Sequence, residues 1–257
     1  MRTRLLAGVL IFLATSFAAS KPDPSPSDIE KVIATFAENE AAFARARENY
    51  TYRQTAKIQT LEDNGKYELV SDIIFNQDGR RTERVVRAPM TTLRLISMSP
   101  EDEQDIRNVL PFVLTSKDID KYYVRYLGRQ NADEIPCYVF AVKPKSMQPG
   151  NRYFEGQIWV DDRDLMIVKT YGRSTGILKK GTDQQFPKFE TFREQIDNKY
   201  WFPTYTIANS TLHFKDQDTR IRLSVKYEDY KQFKSESKIT FGDSVEPKTP
   251  PAQPKKP

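Results

Sequence analysis

The sequence is poor in the residues on which most catalytic, metal and disulfide sites depend. Its 257 residues include one cysteine and one histidine. A single cysteine forms no internal disulfide, and a histidine-based metal site or a Ser-His or Cys-His pair would have to use His213. That residue precedes Phe214 at a strand end, a setting typical of an ordinary strand histidine. Cys137 lies in an apolar run, Ile135 to Phe140, which favours a small buried side chain over a reactive thiol.

Motifs for phosphate and calcium binding are missing as well. The sequence has no G-x-G-x-x-G or Walker pattern. Asp161, Asp162 and Asp164 stand close together, but the glycine and the distal glutamate of a calcium loop are absent, so we interpret these residues as turn formers. We therefore expect a protein that is not an enzyme and that uses no metal and no cofactor.

Long hydrophobic runs are limited to one, at residues 5–17. Arg2 and Arg4 precede this run and Ala18-Ala19-Ser20 follows it, which predicts a cleaved signal peptide over residues 1–20. The run is shorter than the roughly 20 residues of a membrane span, although an uncleaved anchor stays open as an alternative. No cysteine follows the run, so we expect an exported protein without a lipid anchor.

Excess charge of one sign is also small once the two ends are set aside. The net charge is +5, of which Arg2, Arg4 and the tail after Asp243 carry four charges, leaving +1 for residues 21–243. This balance argues against a nucleic-acid partner. The tail, residues 244–257, is rich in proline and lysine and is expected to be disordered. Residues 21–27 are expected to form a linker, and residues 28–243 a single domain.

Two amphipathic helices are predicted. Apolar residues recur at helical spacing from Ile29 to Phe43 behind Ser27, which has capping-box spacing with Glu30, so a first helix is expected over residues 28–47. Ser99-Pro100-Glu101-Asp102 is a helix start in the middle of the chain. This second helix would either cover a cavity as a lid or close one end of the core.

The rest of the chain is predicted to be antiparallel sheet. The stretch Phe154 to Gly172 predicts a hairpin in the middle of a large curved sheet, with Gly156 marking a bulge or a close approach of another backbone. Residues 80–87 and 92–98 are interpreted as two strands separated by Ala88-Pro89-Met90. Strands such as Cys137 to Val142 are apolar on both faces, so other parts of the protein or a ligand must cover both faces of the sheet at this point. Helices supply one cover, and either a bound ligand or the curl of the sheet supplies the other.

A resemblance to a known family rests on this order of elements. The signal peptide, the first helix, the strand meander, the short second helix and the Phe154-Glu155-Gly156-Gln157-Ile158-Trp159-Val160-Asp161 hairpin resemble the LolA/LolB-like group of periplasmic outer-membrane lipoprotein-sorting proteins. Tyr200-Trp201-Phe202-Pro203, with Leu212-His213-Phe214 after it, is similar to later strands of the broader LolA-like families. The resemblance covers most of residues 28–233.

The resemblance implies an α+β, mostly antiparallel fold, in which a curved half-barrel of about ten or eleven strands wraps over the N-terminal helix and the short mid-chain helix. It also implies a periplasmic carrier for lipid or lipoprotein acyl chains, acting as a monomer. An alternative on the same scaffold is an envelope protein-interaction or stress-sensor module, similar to RseB-like domains, with a membrane protein as partner. The residues predicted to line the lipid cavity are Leu69, Ile73, Phe75, Leu95, Val124, Tyr126, Val139, Ile158 and Val160, and those predicted to form the lid are Ile106, Leu110 and Phe112.

Overall fold

The computed structural model describes residues 23–76, 80–178 and 185–232. The predicted signal peptide, the first residues of the linker and the predicted tail lie outside this part of the chain. Two α-helices, one 3-10 turn and ten strands occur in the described residues. In chain order they are α1 (Pro26–Arg47), β1 (Tyr50–Thr60), β2 (Lys66–Phe75), β3 (Arg81–Thr91), α2 (Pro100–Asn108), the 3-10 turn (Ile119–Lys121), β4 (Tyr122–Ala132), β5 (Ile135–Pro144), β6 (Tyr153–Asp161), β7 (Ile167–Thr175), β8 (Lys188–Ile196), β9 (Tyr200–His213) and β10 (Asp218–Gln232).

All ten strands form one open antiparallel sheet in the order β3-β2-β1-β10-β9-β8-β7-β6-β5-β4. Neighbours along the chain are neighbours in the sheet except for β3 and β4, and the pairing of β1 with β10 places the first and last strands side by side. The sheet is curved, and the predicted α+β half-barrel over two helices is confirmed. The β6–β7 hairpin was predicted in the middle of the sheet, but it lies nearer the β4 edge because β9 and β8 occupy the centre.

The helix α2 owes its position to this strand order. β3 and β4 are the two edges of the sheet, and they are consecutive along the chain. The connection between them, residues 92–121, must therefore pass from one edge to the other across the covered face of the sheet. α2 lies in this connection and starts where it was predicted to start, with a capping box in which Ser99 and Asp102 exchange hydrogen bonds.

The helix α1 packs on the same face through one stripe of side chains. Its buried residues recur at helical spacing from Phe36 to Phe43. The Phe36 ring lies 5.4 Å from the Phe140 ring of β5, and the Phe43 ring meets the Phe202 ring of β9 edge-on at 5.1 Å. The helix cap differs from the prediction, because the hydroxyl that accepts from the Asp28 amide belongs to Ser25 and not to Ser27.

The β6–β7 hairpin contains the predicted close approach of two backbones. Gly156 and Gly172 are cross-strand partners, and a Cβ on Gly156 would lie 2.5 Å from the Cα of Gly172 and 2.9 Å from the Phe154 ring. The Phe154 ring thus covers a strip of bare backbone and stacks on Phe112, with 4.4 Å between ring centroids. The turn is closed as predicted by aspartates, since Asp161 accepts a hydrogen bond from the Arg163 amide.

One predicted strand boundary is wrong. β3 runs without a break from Arg81 to Thr91, through Pro89, and residues 92–98 form no strand. Proline is compatible with β3 because this strand is an edge, where one side of the backbone makes no ladder hydrogen bonds. The apolar residues of the 92–98 segment leave the sheet and contribute to the site described below.

Candidate functional site

An apolar cavity of about 1150 Å³ lies between α2 and one end of the sheet. Its floor is formed by side chains of the adjacent strands β1, β10 and β9, and its sides by the 92–98 segment, α2 and the described parts of the β7–β8 loop. Most of the side chains that line it are apolar, among them Ile58, Leu95, Ile96, Leu178, Leu212 and Leu223. A cavity of this size exceeds the usual range of small-molecule sites, roughly 300–1000 Å³.

The local sequence explains why the walls are apolar. The 92–98 segment leaves the β3 edge and turns Leu93, Ile96 and Met98 toward the core. Across the cavity, Ile177 and Leu178 follow β7 in a loop and stay 48% and 42% exposed. These two side chains add exposed apolar surface at the border of the cavity.

Three carboxylate residues of α2, Glu101, Asp102 and Asp105, line the cavity, and Asp105 is the buried one. Asp105 of α2 is 9% exposed and accepts a hydrogen bond of 2.8 Å from the Ser174 hydroxyl on β7. The Arg152 guanidinium lies 3.8 Å from the same carboxylate. Burial raises the pKa of Asp105 to about 6, although Ser174 and Arg152 both favour the charged form. This carboxyl fixes α2 to the sheet and places a titratable group at the cavity wall.

The predicted cavity residues are divided among different parts of the structure. Leu95, Ile106 and Leu110 line the apolar cavity. Phe75 and Phe112 line a second cavity, described below. Leu69, Ile73, Val124, Tyr126, Ile158 and Val160 belong to or pack against the main core cluster, and Val139 belongs to a smaller cluster with Trp159 and Phe202. Lipid contact by any of these residues stays a prediction.

The prediction missed several cavity residues. Ile96 and Met98 were assigned to a strand, and the alternation of apolar residues in that segment gave no sign that it leaves the sheet. Ile177, Leu178 and Phe214 also line the cavity, and none of them was predicted to do so. Only Ile177 and Leu178 had a signal in the sequence, since two adjacent apolar residues stand there in a segment without strand periodicity.

Residues 109–116, called here the central segment, continue from α2 along the covered face of the sheet. The Thr191 hydroxyl donates a hydrogen bond of 2.8 Å to the Leu110 carbonyl. The Arg193 guanidinium donates to the Phe112 carbonyl, and the Ser116 amide donates to the Ala37 carbonyl of α1 at 3.0 Å. β8 and α1 therefore both hold the backbone that follows α2.

A second cavity, of about 880 Å³, adjoins the first along α2. Gln104, Asn151 and Arg152 line both cavities. The second one differs in character, because its wall carries several cationic and amide side chains, and it reaches Arg47 at the end of α1. An apolar cavity and a polar cavity thus lie side by side along α2.

Side chains singled out for chemistry lie away from these cavities or are inert. His213 has a side chain that is 70% exposed and lies 2.9 Å from the Asp218 carboxylate. Cys137 is buried, as predicted, and burial raises the pKa of its thiol to about 12. Within residues 23–76, 80–178 and 185–232, no group of three acidic, histidine or cysteine side chains is arranged to hold a metal ion. In the same residues no helix is long and apolar enough to span a bilayer.

Comparison with known proteins finds similarity to solved structures only. No protein-family model and no curated protein matches the chain. The chain is similar to a DUF1329 family protein from Desulfovibrio piger, with 12% identity over 80% of this chain and 94% of that one and a TM-score of 0.45. It is similar to a putative outer membrane lipoprotein-sorting protein domain from Vibrio parahaemolyticus, with 14% identity over 80% and 94% and a TM-score of 0.37. A LolA superfamily protein from Nitrosomonas europaea follows, with 12% identity over 82% and 94% and a TM-score of 0.35. The similar structures thus include the family that the sequence resembles.

Proposed function

We propose that the protein is a periplasmic carrier that holds the acyl chains of a lipid or lipoprotein in the apolar cavity, as part of outer-membrane lipoprotein sorting. The observation that carries this proposal is the cavity itself, about 1150 Å³ in volume and bordered mainly by aliphatic and aromatic side chains. Exposing an acyl chain to water costs about 0.8 kcal/mol per CH₂ group, so a carrier in water needs such a compartment.

The setting of α2 supports a covered site. α2 contributes Ile106 to the cavity wall and is attached to β7 through Asp105 and Ser174. The described loop residues Ile177 and Leu178 lie at the border and remain exposed without a ligand. An acyl chain bound between them and α2 would bury both side chains.

The test is co-purification of lipid with the exported protein. The protein is produced with its export signal in a bacterial envelope, purified without detergent, and analysed by native mass spectrometry and lipid extraction. We expect close to one acyl lipid or lipoprotein per chain. A bare protein mass, together with no uptake of a fluorescent fatty acid, would refute the carrier function.

A matched pair of variants links the binding to the cavity. Ile177→Asp with Leu178→Asp places two charges at the cavity border, at positions exposed enough to spare the fold. Tyr123→Asp with Leu127→Asp, on the β4 edge and outside the cavity, removes two exposed apolar side chains of similar size. The first pair should abolish lipid uptake and the second should retain it. Equal uptake by both would place the lipid elsewhere.

A second function is favoured by one observation, the exposed apolar edge of the sheet. Val85, Val86 and Met90 on the edge strand β3 are 51%, 49% and 69% exposed. An edge strand with apolar side chains is a surface on which an extended segment of a partner can add a strand. In this alternative the protein is an envelope interaction or stress-sensor module. One stoichiometric membrane protein retained from envelope extract, and lost in Val86→Lys with Met90→Lys, would support it.

A further inference from the structure

The polar cavity beside α2 has a cationic wall. Five cationic side chains line it, and Asp118 is the only carboxylate among its lining residues within the described part of the chain. The cationic side chains are Arg47, Arg81, Arg107, Lys121 and Arg152. A concave surface with this excess of one sign attracts a ligand of the opposite charge.

Most of these cations have carboxylate partners just outside or inside the wall. Arg81 and Arg107 share Glu83, with N–O distances of 3.3 and 2.9 Å. Lys121 lies 2.7 Å from Asp118. These pairs hold the side chains in place and neutralise much of the positive charge of the wall. The positive charge that is not neutralised must therefore lie on a residue without such a partner.

Arg47 carries the positive charge that is not neutralised. Among the described residues its guanidinium makes no ion pair and its Nε is buried without a hydrogen-bond partner; its contacts are the Phe43 and Phe75 rings, at 5.8 and 5.7 Å from the ring centroids. The carboxylate of Glu40 feels the charge of Arg47, but its hydrogen bonds go to Arg193 and to the Ile167 amide. The Nε of Arg81, in the same wall, is also buried and without a partner in this part of the chain.

A purely structural role for Arg47 would rest on its place in the last turn of α1. A cation there interacts favourably with the negative end of the helix dipole. Arg45 occupies the same turn, is exposed and does not line the cavity. Arg45 can therefore interact with the helix dipole at this end of α1. Arg47 differs from Arg45 because it packs on two aromatic rings at the wall of a cavity.

We propose that the polar cavity is a subsite for an oxyanion, a phosphate or carboxylate group, and that Arg47 is the side chain that binds it. Guanidinium groups match phosphate and carboxylate oxygens with two parallel N–H donors, and they do so well when stacked on aromatic rings. The flat faces of Phe43 and Phe75 fix the orientation of the Arg47 fork, and Arg81 supplies a second cation in the same wall.

The position of this subsite indicates which class of ligand would bind there, an inference that rests on the proposed carrier function. The polar and apolar cavities share Gln104, Asn151 and Arg152 at their border. An amphipathic molecule with an anionic head group can therefore place its acyl chain in the apolar cavity and its head group in the polar one. A neutral acyl glyceride offers the same chains and nothing for Arg47.

The experiment compares phosphatidic acid with a diacylglycerol of the same acyl chains, a pair that differs only in the phosphate group. Affinities are measured by displacement of a neutral fluorescent acyl probe from the full protein. Inorganic phosphate alone is titrated by calorimetry in parallel, so that a free anion is distinguished from a lipid head group. The variants are Arg47→Gln, its matched control Arg45→Gln, and Arg47→Met, which keeps the aliphatic contact with the rings should the first variant fold poorly.

We expect the wild type to prefer phosphatidic acid at least about tenfold, the range in which a hydrogen-bonded charge contact contributes. Arg47→Gln and Arg47→Met should lose that preference and keep diacylglycerol binding, and Arg45→Gln should match the wild type. Inorganic phosphate that binds the wild type and not the Arg47 variants would also support the subsite and would identify a free anion as its ligand.

Two results would overturn the subsite. The first is equal affinity of the wild type for both lipids with no binding of inorganic phosphate. The second is a loss in Arg47→Gln no larger than in Arg45→Gln. Failure of both lipids to bind the wild type would refute the carrier function instead, and the phosphate titration would then decide the subsite by itself.

Discussion

Arg193 and Glu40 form an ion pair that is enclosed in the protein, with 2.9 Å between Nη1 and Oε1 and side chains 1% and 0% exposed. Arg193 also donates to the carbonyl groups of Ile167 and Phe112, and Glu40 accepts from the Ile167 amide. The pair therefore joins α1, β7, β8 and the central segment at one point. Burial raises the pKa of the Glu40 carboxyl, and the Arg193 guanidinium opposes that rise.

Loss of Arg193 is the first prediction. Arg193→Met leaves the Glu40 carboxylate buried without its counter-ion and removes a hydrogen-bond donor from the Ile167 and Phe112 carbonyls. We expect the free energy of unfolding to fall by about 3–5 kcal/mol, the range for a broken buried pair. The double variant Glu40→Met with Arg193→Met should lose less than the two single variants together, since it leaves no unpaired charge. Urea denaturation of all four proteins gives the coupling.

Arg220→Gln is the matched control, since the Arg220 pair with Glu62 has the same 2.9 Å distance on the surface. We expect it to cost less than about 1 kcal/mol. A cost for Arg193→Met as small as that of the control would show that Glu40 is accommodated as a neutral acid without a partner.

Two paired threonines give the second prediction. Thr170 of β7 and Thr191 of β8 are cross-strand partners and both are 1% exposed. The Thr191 hydroxyl donates to the Leu110 carbonyl, whereas the Thr170 hydroxyl has no hydrogen-bond partner among the described residues. Thr191→Val should cost about 1–3 kcal/mol, and Thr170→Val should be neutral or stabilising. Thermal unfolding measures both, and an equal cost would mean that a water satisfies Thr170.

Local chemistry in the sequence was enough to predict much of the fold. The helix start at Ser99, the aspartate turn after Asp161 and the close approach at Gly156 each depend on a few neighbouring residues, and the structure has each feature where it was predicted. Pro89 was misinterpreted because proline ends a central strand but is tolerated in an edge strand. The order of strands in a sheet decides which case applies, and that order depends on the distant β1–β10 pairing.

The functional site was harder to predict because it depends on contacts between distant segments. Glu40 and Arg193 are separated by 153 positions, and nothing near either residue indicates the other. The apolar cavity likewise collects residues from β1, the 92–98 segment, α2, the β7–β8 loop and the end of β9. Apolar strand residues such as Ile158 and Val160 fill the core, and periodicity alone does not distinguish them from residues that border a cavity.

The close approach at Gly156 gives the third prediction. A methyl group at this position meets the Gly172 backbone and the Phe154 ring, neither of which has room to move, because the ring is stacked on Phe112. We expect Gly156→Ala to lower the free energy of unfolding by about 1–3 kcal/mol, the usual cost of overpacking. Gln157→Ala, on the next residue of the same strand, should change it by less than about 0.5 kcal/mol. Comparable effects of the two variants would mean that the hairpin opens to admit the methyl group.

The pKa of Asp105 gives the fourth prediction. Burial raises this pKa from the ordinary 3.8 to about 6, so the folded state holds a proton that the unfolded state has already lost between these pH values. The stability contributed by the protonated carboxyl is therefore present in full below about pH 4 and is lost as the pH rises to about 6. Asp105→Asn keeps an acceptor for the Ser174 hydroxyl and removes this titration.

The difference in unfolding free energy between Asp105→Asn and the wild type should therefore grow in favour of the variant from pH 4 to pH 6, by on the order of 2–3 kcal/mol, and stay level above that. Urea denaturation of the two proteins at several pH values measures this difference, in which the titration of other carboxyl groups cancels. A level difference across the window would mean that Arg152 and Ser174 compensate the buried charge fully. A difference that grows as predicted would mean that burial of the charged Asp105 carboxylate destabilises the folded state more than its contacts with Ser174 and Arg152 stabilise it.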